Sequence, residues 1–149
     1  MTDDFAPLFP PGFHEVARAD LEAHFVNPFQ SGERRAKLLD GLSALLAELE
    51  GLSIEWEVWL DGSFSTKKPD PSDIDVLVIA DGVKIQALPL PLQHKLRALL
   101  LSPQITKIRY GCEVYFADAG DPNRISYWRG WFGFSRNEIP KGIPRLKIP

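Results

Sequence analysis

Asp73 and Asp75 stand two residues apart at the start of the apolar run DIDVLVIA. On a strand, residues i and i+2 share a face, so the two carboxylates project together, about 7 Å apart along the chain. Carboxylates held that close repel, and one of them would normally stay protonated. A bound divalent cation removes the conflict. Mg²⁺ favours a site with few carboxylates, several waters and substrate phosphates. A third acid on a neighbouring strand would complete a two-metal site. Glu113 in CEVYF qualifies, because a lone acid among apolar strand residues is otherwise costly to bury. Upstream, the Gly62-Ser63 step supplies a phosphate cradle. Glycine lets backbone approach an anion, and the Ser hydroxyl with the following N–H groups can hydrogen-bond it. A short helix opened by FSTKK, with Ser65 and Lys67 in it, would favour the anion further.

The elements that must position these residues are read from periodicity. The spacing predicts an extended arm over residues 1–13, which hold three prolines, then a short helix over 14–26. Ser31 is the expected N-cap of a longer helix with a stripe of Leu38, Leu39, Leu42, Leu45, Leu46 and Leu49. SIEWEVWL (53–60) alternates as a strand, and DIDVLVIA is a central strand turned by Asp81-Gly82. PLQHKLRALLLS (91–102) reads as a helix. ITKIRYGCEVYFA (105–117) reads as a strand or bent strand pair with a bulge at Gly111. ISYWRGWFGFSR (125–136) packs its aromatics on the sheet. PKGIPRLKIP closes the chain as an edge strand, given Pro140, Pro144 and Pro149. The expected fold class is α/β (α+β): one domain over 1–149, a small mixed sheet flanked by helices.

Composition narrows the function. The chain has 149 residues, 44% hydrophobic and 25% charged, as in an ordinary globular domain. A net charge of −3 argues against a broad DNA-binding surface. Cys112 is the single cysteine, so no internal disulfide can form, which fits a reducing compartment. The acidic, Pro-rich start is no signal peptide, and no apolar run approaches a membrane span, so the expectation is a cytoplasmic protein.

The order of these parts resembles the polymerase-beta-type nucleotidyltransferase superfamily. Leu60-Asp61-Gly62-Ser63, nine intervening residues, Asp73-Ile74-Asp75-Val76 and the later Glu113 follow its pattern. PPGFHEVARADLEAHF, WLDGSF, YGCEVYF and PKGIPRLKI extend the likeness over most of the chain, to a small bacterial family with a minimal nucleotidyltransferase-like domain. The resemblance implies a nucleotidyltransferase fold and transfer of a nucleoside monophosphate from an NTP, with ATP the first guess, to a hydroxyl on a protein, an RNA end or a small molecule. It implies that Gly62 and Ser63 hold the triphosphate. Asp73 and Asp75 would bind two Mg²⁺ (or Mn²⁺) ions, and Glu113 would share one and orient the acceptor. The third acid is Glu where Asp is commoner, and no extra acceptor-binding helical domain is apparent. The alternative is a weakly catalytic nucleotide- or partner-binding module, such as a toxin–antitoxin or defence component.

Other residues carry two readings. Lys67 and Lys68 either touch the triphosphate or lie in a solvated loop. Lys107 and Arg109 alternate on the expected strand and either reach phosphate or line an exposed face. Cys112 reads as a buried small hydrophobe and His14 as structural. The Trp and Phe residues read mainly as core, with one available to stack on a base. A dimer is permitted.

Overall fold

The structure, a computed structural model, describes residues 5–149. It has six α-helices and one five-stranded mixed sheet, an α/β architecture. The strands are β1 (Gly12–Glu15), β2 (Trp56–Asp61), β3 (Ile74–Ala80), β4 (Cys112–Asp118) and β5 (Gly142–Ile148), in the order β1-β5-β2-β3-β4. β2 is antiparallel to both β3 and β5, whereas β3 pairs parallel with β4 and β1 parallel with β5. The helices are α1 (Leu21–Phe25), α2 (Glu33–Glu50), α3 (Gly82–Gln86), α4 (Leu90–Leu99), α5 (Pro103–Tyr110) and α6 (Pro122–Phe132).

Strands β2 and β3 are apolar on both sides because both faces of the sheet are covered. Trp56, Val58, Leu60, Val76 and Val78 join the Leu stripe of α2 in the larger core. Leu38, Leu42, Leu45, Leu46 and Leu49 are all buried there, as the helical spacing predicts. Trp59, Leu77, Ile79 and Ala117 face the opposite way, onto Phe132 and Ile143, with Trp128 and Ile125 of α6 packed beside them.

Several local expectations are corrected. Residues 12–15 form β1, because Gly12 to Glu15 pair with Gly142 to Arg145; of the expected helix over 14–26, a 3-10 turn at Arg18–Asp20 and α1 at Leu21–Phe25 remain. Of the extended arm, residues 1–4 lie outside the described residues, and the next stretch lies along the loop after β2, through Lys67 N–H to Ala6 O and Leu8 N–H to Ser65 O. Gly32, not Ser31, occupies the N-cap of α2. Residues 103–110 are helix and not strand. Ser102 caps α5 by accepting from Gln104 N–H, Pro103 opens it, and Gly111 (φ 72°) closes it in the left-handed conformation, so Gly111 is a helix stop and not a bulge. β5 is an interior strand. Its residues 142–145 pair with β1 and 145–148 with β2, so Pro144 sits where one flank of the strand is unpaired and a missing donor is tolerated. Asp81 does more than turn the chain: its side chain accepts from Val83 N–H and caps α3.

Candidate active site

The register of three strands assembles the acids. Asp61 is directly opposite Asp75, and Asp75 directly opposite Glu113. Alternation puts all three on the face that carries Trp59, Leu77 and Tyr115. Asp73, two residues before Asp75, joins them at the mouth of β3. Asp61 was not singled out by its type or spacing; only cross-strand pairing reveals it.

The turn between β2 and the following loop lies on top of Asp75. Gly62 has φ 80°, and a Cβ there would stand 2.9 Å from Asp75 Oδ2. Both facts call for glycine. Ser63–Ser65 form a single 3-10 turn and not the opening of a longer helix. Ser63 is half-buried beside Gly62, whereas Ser65 is buried and its hydroxyl donates to Gly62 O at 3.1 Å. Lys67 is exposed on the loop.

Two consecutive arginines of α2 hold this loop. Arg35 is fully buried, and its guanidinium donates to the carbonyls of Phe64 (2.7 Å), Thr66 (2.7 Å), Lys68 (2.7 Å) and Ser63 (3.3 Å). It also lies 3.7 Å from the ring centroid of Phe29. Burial lowers its pKa to about 10, which leaves it charged at neutral pH. Arg34 donates to the carbonyls of Pro71 and Ser72, just before Asp73. A signal for Arg35 existed: it falls three and seven residues before Leu38 and Leu42, inside the buried stripe.

Two lysines answer the acids. Lys107 Nζ lies 3.1 Å from Asp73 Oδ2 and 3.6 Å from Glu113 Oε1, and its bond to Asp73 holds its pKa above the ordinary value. Lys107 therefore reaches the site from a helix, whereas Arg109, two positions on, is exposed and takes no part in the cluster. Buried Lys141, on the segment before β5, forms an ion pair with Asp61. Tyr115 donates its hydroxyl to Glu113 Oε2 at 3.2 Å.

The electrostatics follow from crowding. Burial, then Asp61, Asp73 and Glu113, push the Asp75 carboxyl up to about 7. Burial pushes Asp61 up to about 6 against the pull of Lys141. Cys112 is buried and its thiol is pushed up to about 12, so it is a packing residue and not a nucleophile. His14 bonds Pro10 O and lies against Phe9, away from the acids.

Among the described residues no group of three or more His, Cys, Asp or Glu side chains is arranged to hold a metal ion. The donor chemistry nevertheless suits one. Asp73 and Glu113 already share a cation, the Lys107 ammonium, and Asp75 carries an excess of negative neighbours.

No curated protein and no solved structure matches the chain. No helix among the described residues is long and apolar enough to cross a membrane. One family model matches residues 2–147, nearly the full length, and the chain accordingly belongs to the family of unknown function DUF6932.

Proposed function

We propose that this protein is a Mg²⁺-dependent nucleotidyltransferase. The observation that carries the reading is that Asp73, Asp75, Glu113 and the Gly62-Ser63 turn share one end of one sheet face. Bound Mg²⁺ would neutralise charge on the triphosphate and hold it in line with the acceptor.

Within that reading the chain's own residues divide the work. Gly62 admits the phosphates close to the backbone, and Ser63 donates to them. Arg35 keeps the loop carbonyls turned inward, away from an anion. Asp73, Asp75 and Glu113 would hold the metal, and Lys107 would leave its place between Asp73 and Glu113 to meet a phosphate. Glu113, steadied by Tyr115, faces the acceptor. The acceptor oxygen forms a bond to the α-phosphorus, the bond from that phosphorus to the bridging oxygen breaks, pyrophosphate leaves, and the hydroxyl proton passes to a carboxylate or water.

One observation favours a second reading, a nucleotide- or partner-binding module with little turnover: Lys107 occupies the space between two of the acids. Calorimetric titration of the four NTPs with Mg²⁺ tests the proposal. Metal-dependent binding of an NTP, lost in Asp73→Ala/Asp75→Ala, is expected. Absence of NTP binding by the wild-type chain overturns it. Binding without incorporation of α-labelled nucleotide into any supplied acceptor favours the second reading.

A further inference from the structure

Helix α6 turns two adjoining stripes in different directions. Ile125, Trp128 and Phe132 pack on the sheet, whereas Arg124, Tyr127 and Trp131, also at i, i+3 and i+7, lie outward. Tyr127 is 49% exposed and Trp131 62%, with Phe134 at 46% just beyond the helix. Apolar rings exposed together on one helix face mark an interaction surface. Cations accompany them. The Arg124 guanidinium lies 5.5 Å from the Tyr127 centroid, and Arg129 is exposed on the same helix. Residues 119–149 carry six Lys and Arg against two acids, in a chain of net charge −3. Lys141 and Arg145 are held in ion pairs with Asp61 and Glu15, so the cations that accompany the exposed rings on α6 itself are Arg124 and Arg129.

The exposed rings connect to the acid cluster. Trp131 and Tyr127 are 6.5 Å apart between centroids, Tyr127 and Trp128 5.3 Å, and Trp128 and Tyr115 4.8 Å. Tyr115 in turn donates to Glu113. A series of rings therefore runs from Glu113 out to solvent along one face.

From this juxtaposition we propose that the outer stripe of α6 is a docking platform for single-stranded nucleic acid, with bases stacked on Tyr127 and Trp131, phosphates met by Arg124, and the strand end directed toward Glu113. Exposed aromatics interleaved with cations suit unpaired bases on a phosphate backbone, since every base offers a π-face. A duplex hides those faces. The docking rests on the α6 surface alone; that the docked strand accepts the nucleotide rests on the transferase reading above.

Fluorescence anisotropy of short labelled oligo(rU) and oligo(dT) with the full chain tests it. Saturable binding that weakens with salt is expected. Tyr127→Ala/Trp131→Ala should bind about tenfold more weakly or worse, at the stacking strength of one base or more. Arg124→Gln should weaken binding and flatten the salt dependence by about one phosphate contact. Both sets of side chains are exposed, and an unchanged melting temperature verifies that these variants fold. Asp73→Asn/Asp75→Asn should bind the strands as the wild type does. The platform is overturned if the wild type binds neither strand, if the double aromatic variant binds equally well, or if a duplex of the same length competes as well as the single strand. It is also overturned if sedimentation shows a dimer that the aromatic variant dissolves, because a second copy then covers the stripe. Oligonucleotide binding without NTP binding removes the transferase reading and leaves the platform; the reverse removes the platform alone.

Discussion

The two faces of the same five strands are built differently. One face is a dry, mainly aliphatic layer under α1, α2 and α4, with Phe25, Trp56 and Phe64 among its members, in which Leu42, Leu45, Leu46 and Leu49 are wholly buried. The other is smaller and aromatic, and α6 covers it only in part. At its uncovered end three strands place carboxylates side by side. The contrast teaches that adjacent residues of one strand can serve opposite purposes. Leu60 fills the first face, and its neighbour Asp61 carries charge on the second. The first face supplies the stability that keeps unfavourable charge together on the other.

The contrast can be broken most severely from the dry side. Leu42→Ala should cost about 2–5 kcal/mol in urea unfolding, by removing a fully buried side chain and leaving a cavity. NTP affinity per folded molecule should not change. Equal loss of affinity and stability would show that the two faces are not separable.

Arg35→Met joins the faces, because Arg35 reaches from α2 into the loop over the acids. It should cost about 2–3 kcal/mol, since several inward carbonyls lose their buried donor. Unlike Leu42→Ala, it should also abolish NTP binding in calorimetry at temperatures where the variant remains folded.

Asp75→Asn should act in the opposite direction on stability. The folded-state pKa of Asp75, about 7, lies above its ordinary 3.8. Its contribution is therefore fully present below pH 3.8 and is lost as pH rises through about 7. The Asn variant should melt higher than wild type at pH 8.5, with the gain vanishing at acid pH. Mg²⁺ should raise the wild-type melting temperature at pH 8.5 and leave that of the variant unchanged. A variant that melts lower at every pH would contradict the crowded-charge account.

The smallest effect is expected at Tyr115→Phe. Loss of its bond to the partly exposed Glu113 should cost no more than about 1 kcal/mol in urea unfolding. NTP binding should persist, while incorporation of labelled nucleotide should fall as Glu113 loses its restraint.

What the sequence made legible follows the same division. The Leu stripe of α2 and the apolar runs of β2 and β3 were readable because period and burial agree. Asp73, Asp75 and Glu113 stood out as acids in apolar surroundings. Asp61 and Lys141 did not, since their pairing depends on strand register and on the path of the chain before β5, which local pattern does not encode. In α5, Lys107 and Arg109 alternate as on a strand, but the capping set Ser102, Pro103 and Gly111 decides for helix. Gly41 is a further silent determinant: a Cβ there would overlap the Tyr110 carbonyl, so the glycine lets α2 and α5 approach. Long-range contact of this kind has no signature within its own helix.

The most direct test is a crystal structure with Mg²⁺ and a non-hydrolysable NTP analogue. The account predicts metal density between Asp73, Asp75 and Glu113, the triphosphate over Gly62 and Ser63, and the Lys107 ammonium displaced onto a phosphate. Lys107 still bridging Asp73 and Glu113, with the nucleotide absent or bound on another surface, would contradict it.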